Sequence, residues 1–78
     1  MREKHRYQVM TFHTTAAAMA MEKYCANHKI SGRLIPVPRE ISAGCGLAWR
    51  MELADYAAQQ QELAELPIEL EGSFEILL

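Results

Sequence analysis

The chain has 78 residues, a formal net charge of −2 and an apolar share of 50%, values typical of one small globular domain. A domain of this size buries only about 60% of the surface that its unfolded chain exposes, so its core is small. No apolar run approaches the ~18 residues of a transmembrane helix, and no secretory signal follows the basic start. We therefore expect a single cytoplasmic domain over residues 1–78, with reduced thiols, no membrane contact and a flexible basic N-terminus over residues 1–6.

Charge is unevenly distributed along the chain. All eight Lys and Arg lie within residues 1–50, whereas residues 51–78 contain seven of the ten acids. This asymmetry is typical of two solvated faces, and equally of a basic surface that attracts an anion or an acidic partner. The pI of about 5.9 and the lack of a basic, aromatic sheet signature argue against nucleic-acid binding.

The first half of the chain predicts a strand, a helix and a second strand. Residues 7–12 are rich in aromatic and β-favouring types. Residues 14–29 show a helical apolar period and begin with threonines that can cap a helix, and Gly32 ends this unit. Residues 33–37 predict the second strand, which Pro36 places at a sheet edge because proline cannot donate to a ladder.

The second half predicts the same kinds of element after a loop. Residues 38–46 form the loop, and residues 47–53 alternate between apolar and polar side chains as a half-buried strand does. The composition of residues 55–66 favours a helix that its first residue, an aspartate, can cap. Residues 68–77 predict a last strand with a bulge at Gly72.

The resulting order, β-α-β-β-α-β, predicts the fold. Each βαβ half requires a right-handed crossover. The simplest arrangement is an α+β, ferredoxin-like sandwich, a four-stranded antiparallel sheet with two helices on one face. In that layout the second strand lies at an edge, and the loop after it brings Cys45 to one end of the sheet.

Cys45 is the residue with the clearest chemistry. The thiolate is the nucleophilic form of cysteine, and nearby cations lower a thiol's pKa. Gly44 and Gly46 flank Cys45, so they leave its sulfur accessible and allow backbone N–H groups to turn toward it as in an anion nest. The cations that sequence or hairpin geometry brings near are Arg33, Arg39 and Arg50. A loop cysteine without a chemical role is the alternative.

The other candidate residues carry weaker signals. Cys25 lies on the apolar face of the first helix and is expected to be a core residue. His13 follows the first strand and could act as a base or hydrogen-bond donor, depending on whether the strand register brings it to the end that holds Cys45. His5 and His28 do not complete a metal-ligand spacing. No phosphate-binding or dinucleotide motif occurs, so we predict neither a metal nor a cofactor.

Two motifs resemble those of a known family. Phe-His-Thr at residues 12–14 forms a strand-to-helix step, and residues 33–46 read RLIPVPREISAGCG, followed directly by a strand. These motifs resemble the selenium/sulfur (Se/S) carrier-like protein family of small bacterial domains. The resemblance spans nearly the whole chain, and the block at residues 33–46 is its more specific part.

The resemblance implies a fold like that predicted above and a carrier function for Cys45. The cysteine would hold a sulfur or selenium atom as a persulfide-type adduct, received from a cysteine desulfurase-like donor and passed to a sulfur- or selenium-accepting protein. Arg39 would stabilise the anion and Ser42 would donate a hydrogen bond. Such a protein is a carrier rather than a true enzyme.

A second hypothesis is a non-catalytic interaction or regulatory module. A small ferredoxin-like domain with an open sheet edge can pair with a partner or with a second copy of itself. Loading of Cys45 by a desulfurase distinguishes the two hypotheses, because an interaction module would not take up sulfur.

Overall fold

The computed structural model describes residues 5–39, 41 and 45–78. Over these residues the chain is α+β, with a four-stranded antiparallel sheet and three helices. The strands are β1 (Arg6–Thr11), β2 (Arg33–Pro36), β3 (Leu47–Glu52) and β4 (Gly72–Leu77). The helices are α1 (Thr15–Asn27), α2 (Leu53–Ala58) and α3 (Gln60–Ala64). In this part of the chain no helix has the length and apolarity needed to cross a bilayer.

The sheet has the strand order β2-β3-β1-β4. β1 pairs antiparallel with both β3 and β4, and β3 pairs antiparallel with β2. The edge position expected for the second strand is therefore confirmed, and Pro36 lies in a strand that has a ladder on one side. His5 exchanges two backbone hydrogen bonds with Leu78, at 2.9 and 2.8 Å, so the β1–β4 ladder extends beyond the ends of both strands.

Helix α1 matches the prediction and ends for a local reason. Thr14 caps it, because its hydroxyl oxygen accepts a hydrogen bond from the N–H of Ala17 at 3.1 Å. At the other end Lys29 takes a positive φ of 57°, and Ile30 donates its N–H to the carbonyl of Cys25 at 2.8 Å. This closure is a Schellman motif, so the helix stops before Gly32, the residue that the sequence suggested.

The second helix differs from the prediction of one helix over residues 55–66. Helix α2 begins directly after β3 at Leu53, without a side-chain cap, and the helical path is interrupted at Gln59 before α3. α2 has no buried residue, whereas α3 places Leu63 in the core. Three helices therefore stand where two were expected.

The last strand is shorter than the predicted span of residues 68–77. It begins only at Gly72, which opens the strand rather than forming a bulge. A Cβ added there would lie 2.7 Å from the ring of Phe74, which would have to move. Ile68 and Leu70 precede the strand, and both are partly buried against the hydrophobic core.

The two sides of the sheet carry separate apolar clusters. On one side the strands pack against α1 and α3, and on the other they pack against the loop after β2 and the chain end. The buried residues of the helix side are Met10, Phe12, Ala18, Met21, Cys25, Ile30, Trp49, Met51 and Leu63. Those of the opposite side are Val9, Ala48 and Ile76, joined by partly buried side chains that include Tyr7, Ile35, Val37 and Ile41.

Candidate functional site

Cys45 lies just before β3 as a free, partly buried thiol. Its side chain packs against the rim of the helix-side cluster. The thiol donates a hydrogen bond to the carbonyl oxygen of Leu47 at 3.3 Å, and the N–H of Leu47 donates to the sulfur at 3.4 Å. The sulfur is thus oriented by backbone groups two residues further along and keeps part of its surface exposed.

The turn that holds Cys45 depends on Gly46. This glycine has a φ of 76°, which side chains rarely adopt, while a Cβ at this position would meet nothing within 4 Å. Backbone conformation rather than space therefore requires glycine here. Its carbonyl accepts a hydrogen bond from Val37 at 3.1 Å, which continues the β2–β3 ladder to the residue beside Cys45.

The strand register shows at which end of the sheet His13 lies relative to Cys45. Thr11, near the end of β1, lies opposite Ala48 in β3 and opposite Gly72 in β4. His13 follows β1 and Cys45 precedes β3, so both residues lie at the same end of the sheet. A role of His13 toward the sulfur stays a prediction.

The contacts of His13 point toward the β4 side of this end. Its Nδ1 lies 3.5 Å from Oε2 of Glu71, and its Nε2 lies 3.9 Å from Oε1 of Glu69. β4 and β3 flank β1 on opposite sides. The acids that contact His13 therefore lie on the other side of β1 from Cys45.

Helix α1 begins at the same end of the sheet as Cys45. Its capping residue Thr14 follows His13 directly, and Ala17 in the first turn packs against the same cluster as Cys45. A helix N-terminus carries a partial positive charge that stabilises nearby anions. The start of α1 and Cys45 therefore share one end of the sheet and one edge of the helix-side cluster.

Arg33 and Arg50 lie elsewhere. They are directly opposite each other in the β2–β3 register, on the sheet face of Val9. Leu47 and Arg50 are three residues apart, about 10 Å along the strand. The guanidinium of Arg50 lies 4.4 Å from the ring centroid of Tyr7. The structure thus brings these arginines to each other and to Tyr7.

The remaining predicted site residues belong to the loop. Arg39 is described and exposed, whereas Ser42 and Gly44 lie outside the described residues. The roles predicted for all these residues beside Cys45 stay predictions. The flanking glycines predicted backbone N–H groups near the sulfur, but residue types did not indicate that Leu47 supplies one, or that its carbonyl accepts from the thiol.

Cys25 has a different environment. Its residue surface is fully buried in the helix-side cluster. Burial raises the pKa of the Cys25 thiol to about 11, and the nearby carboxylate of Glu62 contributes in the same direction. The thiol is neutral near pH 7, in keeping with the core role expected from its place on the helix.

The described residues do not bring together three His, Cys, Asp or Glu side chains as a metal site would require.

Comparison with known proteins gives a family. Residues 6–75 match the model of the family described as "Putative Se/S carrier protein-like". The chain belongs to this family. The match confirms the resemblance carried by residues 12–14 and 33–46, and the matched span of the Se/S carrier-like domain includes Cys45. Neither a curated protein nor a solved structure matches the chain.

Proposed function

We propose that this Se/S carrier-like protein carries a sulfur or selenium atom as a persulfide-type adduct on Cys45. The observation that supports the proposal is a free, partly exposed thiol at the start of β3, within the family match over residues 6–75. The other thiol, Cys25, is buried and has a raised pKa. A cytoplasmic location, where thiols stay reduced, suits such a carrier.

The transfer is an exchange without net oxidation. The Cys45 thiolate attacks the outer sulfur of a persulfide on a cysteine desulfurase-like donor. A bond forms between that sulfur and Cys45 while the donor's S–S bond breaks, and the donor cysteine leaves as a thiolate. A nucleophile of the acceptor protein then attacks the outer atom and releases Cys45 as a thiolate. Selenium in place of the outer sulfur follows the same path.

The surroundings of Cys45 suit an anionic sulfur. The N–H of Leu47 can donate to the sulfur whether or not it carries a proton, whereas the carbonyl of Leu47 accepts only from the protonated thiol. The start of α1 lies at the same end of the sheet. Arg39 is proposed to supply a guanidinium from the loop, and Ser42 and Gly44 to supply hydrogen bonds.

Intact mass measurement after incubation with a cysteine desulfurase and cysteine tests this function. Wild-type protein should gain the mass of one sulfur atom, which dithiothreitol should remove. Cys45→Ser should stay unmodified, and Cys25→Ala, the matched control, should load like wild type. Equal loading of Cys45→Ser and wild type, or an unloaded wild type beside a loaded positive-control carrier, would contradict the proposal.

The fold is proposed to be ferredoxin-like. The order β2-β3-β1-β4 and the antiparallel pairing of all neighbours support this assignment. In this description α2 and α3 together take the place of the second helix.

An interaction module is the second candidate, and β4 is the observation that favours it. β4 pairs with β1 on one side and forms a sheet edge on the other, with Phe74 40% and Leu77 46% exposed. An edge strand of six residues with exposed apolar side chains can pair with a second copy.

A proline in β4 tests self-pairing. His5 and Leu78 exchange both backbone hydrogen bonds, so alternation along an antiparallel ladder directs the N–H of Glu75 away from β1. Glu75→Pro should abolish a dimer without removing a ladder bond, and Glu75→Gln should keep it. Analytical ultracentrifugation measures both. A monomeric wild type at high concentration would exclude self-pairing.

A further inference from the structure

A small pocket lies at the end of the sheet opposite Cys45. It has a volume of about 200 Å³, and its lining includes Tyr7, Ser31, Arg33, Arg50, Glu52 and Asp55. Pockets for drug-sized ligands hold roughly 300–1,000 Å³, so this one suits a smaller molecule. A nucleotide is too large for it.

One wall of the pocket carries two positive charges. Arg33 and Arg50 face each other across β2 and β3, and like charges directly opposite destabilise a sheet. Among the described residues, the contacts within 4.0 Å between basic and acidic side chains join other groups: Arg6 to Glu75, His13 to Glu69 and Glu71, and His28 to Glu62. Arg50 is held over the ring of Tyr7 at 4.4 Å. Both arginine side chains line the pocket, so an anion bound there would lie between two positive charges.

The same pocket also carries two negative charges. Glu52 lies opposite Tyr7 in the β1–β3 register, and Asp55 lies in the first turn of α2. Both carboxylates line the pocket without forming an ion pair, within 4.0 Å, with either arginine. A doubly charged oxyanion would be attracted by the guanidinium groups but repelled by these carboxylates. A ligand that carries both signs of charge gains from every group.

The wall behind these charges is closely packed. A Cβ on Gly32 would lie 2.4 Å from Cζ2 of Trp49 and 2.8 Å from the carbonyl oxygen of Arg50. Trp49 is 2% exposed and belongs to the core. The backbone that leads into Arg33 thus approaches β3 as closely as glycine permits.

We propose that this pocket binds a small free α-amino acid. The ligand's carboxylate bridges the guanidinium groups of Arg33 and Arg50, and its ammonium group contacts the carboxylates of Asp55 and Glu52. The site lies apart from Cys45, so amino-acid binding does not depend on the proposed carrier function and can be tested separately.

Three probes test the carboxylate and the ammonium group of the ligand separately. ¹⁵N-labelled wild-type protein is titrated with L-serine, with N-acetyl-L-serine, which lacks the ammonium group, and with L-serinamide, which lacks the carboxylate. L-serine should shift the amide resonances of residues 31–33 and 50–52. Each blocked probe should bind at least about tenfold more weakly, the equivalent of 1.4 kcal/mol.

Single-residue variants then test which charged side chains contribute to L-serine binding. Arg33→Gln and Asp55→Asn should each weaken L-serine binding by at least about tenfold, with resonances elsewhere unchanged as evidence of an intact fold. Arg6→Gln is the matched control, since Arg6 lies in β1 and pairs with Glu75 outside the pocket, and it should bind like wild type. Cys45→Ser should also bind like wild type, which keeps the result separate from sulfur loading.

Several outcomes overturn the proposal. Equal binding of N-acetyl-L-serine or of inorganic phosphate would make this a simple anion site. Shifts confined to other residues would place the ligand elsewhere. An unshifted spectrum at tens of millimolar L-serine would exclude an amino-acid site of useful affinity.

Discussion

Leu47 directs both of its backbone polar groups to the sulfur of Cys45, with the N–H at 3.4 Å and the carbonyl oxygen at 3.3 Å. The pair of contacts orients the thiol just before the start of β3. Because the carbonyl contact needs the thiol proton and the N–H contact does not, loss of that proton leaves one hydrogen bond in place. The N–H of Leu47 can therefore still donate to the thiolate, which is the form that attacks an electrophile.

Alkylation should distinguish the two cysteines. Cys45 is partly exposed, whereas Cys25 is fully buried and burial raises its pKa to about 11. We expect iodoacetamide at pH 7 to modify Cys45 at least about a hundredfold faster, since reaction requires an accessible thiolate. Peptide mass spectrometry over time measures both rates in one sample. Similar rates in the folded protein would contradict the difference in environment.

Alkaline pH should destabilise the protein through Cys25. The folded-state pKa is about 11 against a reference value of 9.0, so above pH 9 the unfolded chain releases a proton that the folded protein keeps. The stabilisation is complete below pH 9 and is lost as pH rises toward 11, by up to about 2 kcal/mol. Urea unfolding at several pH values, followed by the fluorescence of Trp49, measures this slope.

Cys25→Ala is the control for that slope. The variant keeps every other titrating group, so its stability should fall less steeply between pH 9 and 11, although a smaller side chain in the core lowers its stability at all pH values. If the free energy of unfolding fell equally steeply with pH in the variant and the wild type, other groups would be the cause of the lower stability at alkaline pH.

Gly32→Ala should destabilise the fold. The new Cβ would lie 2.4 Å from the Trp49 ring and 2.8 Å from the carbonyl oxygen of Arg50, and the backbone contact cannot be relieved by a rotamer change. We expect a loss of about 2 kcal/mol, within the range for overpacking, measured as the urea midpoint. Ser31→Ala, at the exposed neighbouring position, should change stability by less than about 0.5 kcal/mol. A wild-type midpoint for Gly32→Ala would contradict the packing described.

His28 and Glu62 should show a small coupling energy. The Nδ1 of His28 lies 2.7 Å from Oε1 of Glu62, which joins the end of α1 to α3, and the imidazole stacks on Tyr24. Both side chains are part-exposed, so a double-mutant cycle with His28→Ala and Glu62→Gln should give about 0.5 kcal/mol at pH 6. Additive single-variant effects would show that the contact contributes little in solution.

Sequence patterns predicted most of the elements because they depend on neighbouring residues. The alternation of residues 47–53 appears as β3, and the threonine that caps α1 lies where the helical period begins. Pro36 indicated an edge strand because its missing N–H is a local property. The interruption at Gln59 and the late start of β4 were not predicted, because the residue types favour helix across the first position and strand before the second.

In the candidate site, too, residue types predicted some features and only the strand register decided others. Residue types identified Cys45 and the glycine after it, and the family match includes both. The positions of the charged residues needed the register. It places His13 at the end of the sheet that holds Cys45 and puts Arg33 opposite Arg50, beside a pocket about three residues further along β3 from Leu47.

By itself the sequence determined the order of the elements, the α+β class, the edge position of β2 and the identity of the candidate thiol. Each of these depends on residue type and spacing within one segment. Only the tertiary structure decided which ends of the strands meet, which backbone groups orient the sulfur, and which charges share a pocket. Those relationships join residues that are far apart in the chain, and they are set by ladder hydrogen bonds and core packing that form only when the whole domain folds.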